Sequence, residues 1–460
     1  MNCIIGDKVK IKMPSAFIND TVKEMVFGFL FRSVEVEYIP TNNTEIIIGD
    51  GQPVSFLGES VSSVTEKGVY IGAKDKGELM VTLFATLALA VAFDLEKGGV
   101  KISLPCGKKE FNPPVKRRMI QFCVVPNITA NQMVKLCKLA GALGYTHIIL
   151  EFWGTFKFDF LKELSWKEHA LEKDQVKKII KTIRDLGMTP VPQLAHFGHA
   201  SGCRLVGGKH VVLDQNPALA HLFSPDGWWW NFENPKAREV LKNARKELYE
   251  VFGDGEYIHI GFDESFSYPT DRKATEKLCD YIEDLCGEIV GEGRTPLLWG
   301  DLYLHEPTVG IGKETGYEGN CESKEKSDYM FSRFPKGAIV CDWQYFVKES
   351  PWKSTEYFKK KGLNYMICPW FDSASIEPAI ETIKQLGCYA YLQTTWDAIL
   401  KGELYGLFSW YYKLFEINRE VVKIGHGLNN AAFLRKLSFA DGEYNSSGWL
   451  KEDFALGLSL

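Results

Sequence analysis

The sequence predicts an α/β fold: a (β/α)8 TIM barrel preceded by a small α+β domain. Three observations lead there. Between about residues 117 and 400 one local grammar repeats, in which a helix ends in Gly and a short apolar strand follows at once. Six strands follow this grammar, and adding Met119–Val125 and Thr295–Trp299 gives eight, the number that closes such a barrel. The Gly-rich phosphate loop that an open, doubly wound sheet normally carries after an early strand is missing.

Residues 1–112 read as a separate auxiliary α+β unit. Thr44 to Gly49 and Gly68 to Ala73 are short apolar runs bounded by Gly, Asp and Lys, which marks strands. Gly77 to Phe93 reads as a helix, buried over its apolar stretch from Leu79, and Val100 to Leu104 as a final strand. Phe111-Asn112-Pro113-Pro114 is the boundary, because two prolines stiffen a linker and stop strand pairing. The barrel is expected over 117–400. Its strands are Met119–Val125, Thr146–Leu150, Thr189–Ala195, Tyr257–Gly261, Thr295–Trp299, Ala338–Trp343, Asn364–Trp370 and Cys388–Gln393. Between them lie helices such as Gln132 to Leu143 and one that Asp174 caps, apolar at Val176, Ile179, Ile180, Ile183 and Leu186. Asn234-Pro235 opens another, with Asn as cap and Pro in the first turn. The tail, 401–460, reads as a helical extension on the outside of the barrel.

The totals narrow the function. With 460 residues, 45% hydrophobic content and net charge -5, the chain has the profile of a soluble globular protein. It offers no clustered basic surface for nucleic acid. Lys116-Arg117-Arg118 is too short for one and reads as solvated. Leu79 to Phe93 is too short and too interrupted to span a bilayer, and Met1 to Met13 lacks the apolar core of a signal peptide, so no membrane partner is expected. The 11 cysteines include no CxxC, and HExxH is also missing. Free thiols in a cytoplasmic, reducing compartment are the simpler account, with no metal and no cofactor. Asn127-Ile128-Thr129 and Asn445-Ser446-Ser447 match the glycosylation triplet by chance on that view.

Barrels of this kind place their chemistry at the C-terminal ends of the strands. Strand two ends in Glu151 and Trp153, strand three in His196 and His199, and strand four in Asp263 and Glu264. The next four end in Trp299 and Asp301, Trp343 and Tyr345, Trp370 and Asp372, and Trp396 and Asp397. A carboxylate is costly to bury unpaired, so an Asp-Glu pair at a strand end is placed for chemistry or for solvent. Four tryptophans at four successive strand ends favour a sugar pocket. Indole walls bury the C–H faces of a sugar ring, while carboxylates and His bind its hydroxyl rim. Trp228-Trp229-Trp230, in the long connection after strand three, is suited to a lid or to a homodimer contact.

With these residues in place, the chain resembles glycoside hydrolase family 20, the β-N-acetylhexosaminidases, over nearly its whole length. The family's strand-four signature, His-x-Gly-Gly-Asp-Glu, reads here His259-Ile260-Gly261-Phe262-Asp263-Glu264. Gly198-His199-Ala200 matches its strand-three ending, and Asn234-Pro235 its next helix start. Lys67 to Ile71 followed by Leu83 to Leu89 is similar to its auxiliary domain. The length and variant motif look most like the family's short intracellular hexosaminidase D type.

The resemblance implies an exo-acting, retaining reaction without a protein nucleophile, on an oligosaccharide or glycoconjugate. The substrate's 2-acetamido oxygen attacks the anomeric carbon. Glu264 is implied as general acid and then base, and Asp263 as the group that orients the acetamido N–H. Trp299, Trp343 and Trp396 would enclose the acetamido group and the sugar face, with Trp370 beside them. Tyr345 would meet the acetamido carbonyl, and His199 the carboxylates or a ring hydroxyl. Glu151 and Asp397 are the remaining candidates for substrate contact. The departures are Phe262 for the second Gly, no Arg at the end of Arg118–Val125, Ala195 for an Asp, and Trp396-Asp397-Ala398 for Trp-x-Glu. The missing groups read ring hydroxyls, so tolerance of both GlcNAc and GalNAc is expected. Two other readings stay open at this level. One is a retaining glycosidase with Glu151 or Asp301 as nucleophile, and the other a carbohydrate-binding barrel without catalysis.

Overall fold

The computed structural model describes residues 1–95, 99–126, 128–200, 212–370 and 373–396. Eight parallel strands close a barrel in strict sequence order. They are Arg118–Val124, His147–Phe152, Thr189–Gln193, Tyr257–His259, Thr295–Trp299, Ile339–Trp343, Tyr365–Cys368 and Ala390–Gln393. The first strand pairs with the last, Arg118 opposite Tyr391. All eight expected strands are present, within a few residues at each end.

Alternation along the strands divides the barrel into two cores. Met119, Ile149, Val191, Tyr257, Leu297, Ile339, Met366 and Leu392 point inward and fill the lower interior. Their neighbours, such as Ile120, Ile148, Ile258, Val340 and Ile367, belong to the larger core against the surrounding helices. The same alternation sends Glu151, Trp299 and Trp343 to the inside near the upper rim, and Trp153, Asp301 and Tyr345 follow just beyond the strand ends.

The helices follow their caps. Asn234 accepts a hydrogen bond from Lys236 N, and Pro235 starts a helix that runs to Phe252. Thr129 caps Ala130–Ala142 in a reciprocal capping box with Gln132. The Thr of the first glycosylation triplet is therefore a helix cap; Asn127 lies outside the described residues, as does the second triplet. Asp174 proves to lie in the first turn, because Glu172 takes the cap of Lys173–Asp185 and pairs with Gln175.

The N-terminal part is richer in strands than expected. A six-stranded sheet includes Lys8–Pro14, Glu35–Thr41, Glu45–Gly49, Ser60–Thr65, Gly68–Ala73 and Gly107–Phe111. A three-stranded sheet joins Asn2–Ile5, Val91–Leu95 and Gly99–Pro105. The expected helix to Phe93 stops at Ala88. Val91–Leu95 instead pairs antiparallel with Gly99–Pro105, where its Val and Phe gain a ladder.

Helix Lys76–Ala88 carries Glu78, which meets Arg118 at 2.7 Å at the base of the barrel. Arg118 is fully buried and also donates to the Gly144 and Val115 carbonyls. This corrects the expectation of a solvated basic run: only Lys116 is well exposed, while Arg117 stacks over Tyr389 at 4.3 Å. The expected C-terminal extension, 401–460, lies outside the described residues.

Candidate active site

The pair sits just beyond the fourth strand, where the backbone leaves regular β geometry. Gly261, Phe262 and Glu264 have φ of 77°, 79° and 47°. His199 (52°) and Trp396 (41°) share this left-handed region. Among the described residues seven non-glycine residues do so, and four of them are at this site. Such residues cost roughly 1–3 kcal/mol each and persist where surrounding structure forces them. At Phe262 the force is visible. Its ring is fully buried against Phe197 (5.6 Å between centroids) and Tyr281 (5.9 Å), outside the barrel wall. Anchoring Phe262 outward turns Asp263 inward, which is how this chain accommodates a large residue at a glycine position.

Gly198 fits under the pair. A Cβ there would lie 2.2 Å from the Asp263 carbonyl oxygen, so only glycine lets the third-strand loop approach. That approach delivers His199, whose Nε2 is 2.8 Å from Glu264 Oε2 and 3.5 Å from Asp263 Oδ2. His196, by contrast, faces the helix layer: Nδ1 lies 2.6 Å from the Leu194 carbonyl and Nε2 lies 3.3 Å from Arg245. Burial, with Arg245 nearby, pushes His196 down to about 3, so it stays neutral.

The remaining carboxylates are tied in place. Asp301 Oδ2 accepts from Glu264 N (3.0 Å) and Asn320 Nδ2 (2.7 Å), while Oδ1 accepts from Trp343 Nε1 (3.0 Å). Glu151 is buried, with Oε1 accepting from Trp153 Nε1 (2.7 Å) and Oε2 from Gln121 Nε2 (2.9 Å). Burial, and then the charge of Asp263, pushes Glu151 up to about 8. Burial also raises Asp263 above the usual carboxylate range; His199 opposes the shift, and Asp301 and Glu264 reinforce it. For His199, burial lowers the pKa, but Asp263, the Glu264 hydrogen bond and Glu151 outweigh it and lift it to about 9. The imidazolium therefore sits charged between the two carboxylates at neutral pH.

The aromatic residues form one connected wall. Trp153 stacks on Trp396 (6.0 Å, 2°), and Trp396 leans on Trp299 (5.7 Å, 46°). Trp396 Nε1 donates to the Tyr345 hydroxyl at 2.6 Å. Tyr345 in turn contacts Trp343 (4.9 Å) and Trp370 (5.4 Å). The four tryptophans thus converge, with Tyr345 among them. Two buried donors of the site, His199 Nδ1 and Trp299 Nε1, have no hydrogen-bond partner among the described residues. Asp397 and Asp372 lie outside the described residues. No group of His, Cys, Asp and Glu among the described residues is arranged to hold a metal ion.

Of Trp228, Trp229 and Trp230, in the connection after strand three, Trp228 meets the carboxylate and histidine of the site. Trp228 Nε1 donates to the Glu264 carbonyl (2.5 Å), and its ring tilts over His199 (4.7 Å). Trp229 packs on Phe197 and Trp230 on Phe223. From sequence alone this run fits a lid or a dimer contact equally well. Asn320 and Gln121 carry no local signal in the sequence, because both act only through long-range hydrogen bonds.

No protein-family model matches the chain, and no curated protein matches it in sequence. Solved structures do match in shape. An exo-β-N-acetylglucosaminidase of glycoside hydrolase family 20 from Vibrio harveyi, solved with N-acetylglucosamine, superposes with TM-score 0.66 at 11% identity. The match covers 97% of this chain and 76% of that one. The Streptomyces plicatus β-hexosaminidase gives 0.66 at 12% identity, over 97% and 94%. The Bacteroides fragilis β-N-acetylhexosaminidase gives 0.63 at 12%, over 94% and 93%. The chain therefore has the fold of the family 20 β-N-acetylhexosaminidases: a (β/α)8 barrel behind a small N-terminal domain.

Proposed function

We propose that the protein is an exo-β-N-acetylhexosaminidase that removes terminal β-linked GlcNAc, GalNAc or both by substrate-assisted, retaining catalysis. The observation that carries this reading is how the four carboxylates of the site are used. Asp301 accepts three hydrogen bonds from the protein, and Glu151 lies buried beneath an indole donor. A side-chain nucleophile would need a free carboxylate about 5–5.5 Å from the acid, across the scissile bond. Both alternatives, Glu151 and Asp301, are engaged elsewhere. Asp263 and Glu264, joined through His199, remain for the reaction.

In this reading Glu264 protonates the glycosidic oxygen, and the acetamido oxygen closes on the anomeric carbon. Asp263 holds the acetamido N–H and offsets the positive charge of the oxazolinium. Tyr345, whose oxygen already accepts from Trp396, keeps its own proton to donate to the acetamido oxygen. Trp299, Trp343, Trp370 and Trp396 wall the ring. The unpartnered His199 Nδ1 and Trp299 Nε1 are donors that a polar ligand would satisfy. Glu264 then activates water to open the oxazolinium with net retention. A cytoplasmic location belongs to the same proposal and rests on cysteine use: the ten described cysteines are free thiols.

Aryl β-GlcNAc, β-GalNAc, β-glucoside and β-galactoside, offered to wild type, Asp263→Asn and Glu264→Gln, test the reading. Cleavage of the two acetamido sugars alone is expected. Each variant should lose at least ~10²-fold in kcat, the lower end for losing acid–base assistance. Cleavage of the plain glucoside would mean that the acetamido group is not the nucleophile and would sink the proposal.

A further inference from the structure

The peptide of Glu264 is held from both ends. Its φ of 47° is one that surrounding structure has to force. The carbonyl accepts from Trp228 Nε1 (2.5 Å) and Phe266 N (2.9 Å), and the N–H donates to Asp301 Oδ2 (3.0 Å). The hold on the N–H runs on through two further elements, away from the pair.

Asn320, on the connection after strand five, grips Asp301 twice. Its Nδ2 donates to Asp301 Oδ2 (2.7 Å) and its backbone N–H to the Asp301 carbonyl (2.9 Å). Cys321 N donates to the Leu304 carbonyl (3.0 Å), which lays this stretch along 301–304. A Cβ on Gly319 would lie 2.8 Å from the same carbonyl, so the approach depends on glycine.

Two residues before Asn320 the stretch is clamped by Gln344, which directly follows Trp343 of strand six. Gln344 Oε1 accepts from Glu318 N (2.8 Å), and Nε2 donates to Glu318 O (3.2 Å) and to Asp342 Oδ1 (3.2 Å). Together these bonds fix which way the carboxamide faces. Asp342 is fixed in turn. Its Oδ2 accepts from Ser354 Oγ (2.9 Å) and Thr355 Oγ1 (2.6 Å), at the start of helix Lys353–Lys360. Gln344 and Asp342 are both buried, so the clamp is made away from bulk water, where an unmade bond is costly.

We propose that Gln344 is a positioning residue for the general acid. Acting through the Glu318 backbone, Asn320 and Asp301, it fixes the Glu264 N–H and with it the aim of the Glu264 carboxyl at the glycosidic oxygen. This rests on the reading of Glu264 as that acid. A misaimed acid costs rate in proportion to how much the leaving group needs its proton, which separates positioning from a general structural role.

The test measures kcat and KM for methyl β-GlcNAc, whose alkoxide leaves only with a proton, and for dinitrophenyl β-GlcNAc, whose phenolate leaves without one. Wild type, Glu264→Gln, Gln344→Met, Gln344→Asn and Asn320→Ala are compared, each checked by near-ultraviolet circular dichroism. Gln344→Met removes the carboxamide at similar size, and Gln344→Asn is one methylene too short for all three bonds; whichever folds carries the test. In it, kcat for the methyl glycoside should fall roughly 10-fold or more, a share of the ~10²- to 10⁴-fold that a positioned acid supplies, while the dinitrophenyl glycoside loses less than about 3-fold and KM holds for both. Asn320→Ala should show the same split. The double variant of Gln344 and Asn320 should lose no more than the larger single loss, because both act in one chain. Equal losses on the two substrates overturn the proposal and make Gln344 a structural residue, and no loss overturns it by leaving Glu264 held without it. Single losses that multiply in the double variant overturn the chain. If Glu264→Gln itself shows no split between the substrates, or wild type cleaves neither, the reading of Glu264 has failed and the positioning role falls with it.

Discussion

At the scale of single residues, the site is a set of charges that burial alone would forbid. His199 makes it tolerable, because one imidazolium lies within 3.5 Å of both carboxylates. Burial costs a carboxylate its charge first, and each neighbouring anion adds to that. Glu151 shows the consequence for stability. The folded protein holds its proton up to about 8, whereas the unfolded chain releases it near 4.5. The native state then binds more protons than the unfolded state between those values, so stability falls as pH rises through that window. His199, raised from 6.5 to about 9, contributes stability below 6.5 that is lost as pH rises through 9, the same direction. The urea midpoint should therefore decline from pH 5 to pH 9. Glu151→Gln, which stays neutral and can still accept from Trp153, should flatten the lower part of that decline. A variant with the wild-type slope would show that Glu151 is ionised in the fold.

At the scale of elements, strand pairing aligns the residues, and the loops decide what they do. The inner-face alternation places Trp299 and Trp343 at the strand ends, and Asp301 and Tyr345 follow each by two residues in the loops. Asp263 and Glu264 are adjacent, so on a regular strand they would point to opposite faces. Left-handed turns at Gly261, Phe262 and Glu264 remove that conflict. The third-strand loop must then close to contact, which only Gly198 permits. Gly198→Ala should leave the circular dichroism spectrum of the fold intact but reduce kcat/KM by ~10²-fold. That is the scale of a displacement of about 1 Å at a reacting group. Full activity in this variant would mean that the loop yields without moving the pair.

At the scale of the whole molecule, the small domain and the barrel share buried polar contacts. Glu78 and Arg118 form an ion pair with side chains 6% and 0% exposed. Partly buried contacts also join the two parts, with Asn19 and Thr21 donating to Asp185 and Lys138 meeting Glu24. Removing one member of a buried pair leaves the other charge stranded, at about 3–5 kcal/mol, whereas replacing both with apolar groups is far milder. Arg118→Met should lower unfolding free energy by about that amount in denaturant titrations, and Arg118→Met with Glu78→Leu should recover much of it. Equal losses in the single and double variants would assign the stability to Arg118's bonds with the Gly144 and Val115 carbonyls instead.

The sequence by itself determined the barrel, its strand count and the residues at the strand rims. Each of these rests on short-range regularities: a two-residue alternation, a terminating Gly, a capping Asn before Pro. It also determined the Asp263-Glu264 pair and the aromatic wall, because both follow from which residue ends which strand. Its errors were local competitions settled at long range. Val91–Leu95 is as apolar as the helix before it, and only the partner strand Gly99–Pro105 decides between helix and ladder. Arg118 reads as one of three exposed cations until Glu78, far away in sequence, is folded against it. Tertiary structure alone decided that Asp301 orients the Glu264 backbone, that Asn320 holds Asp301, and that Trp228 roofs His199. Those contacts join residues on separate loops, and no local pattern encodes which loops meet once the barrel has closed.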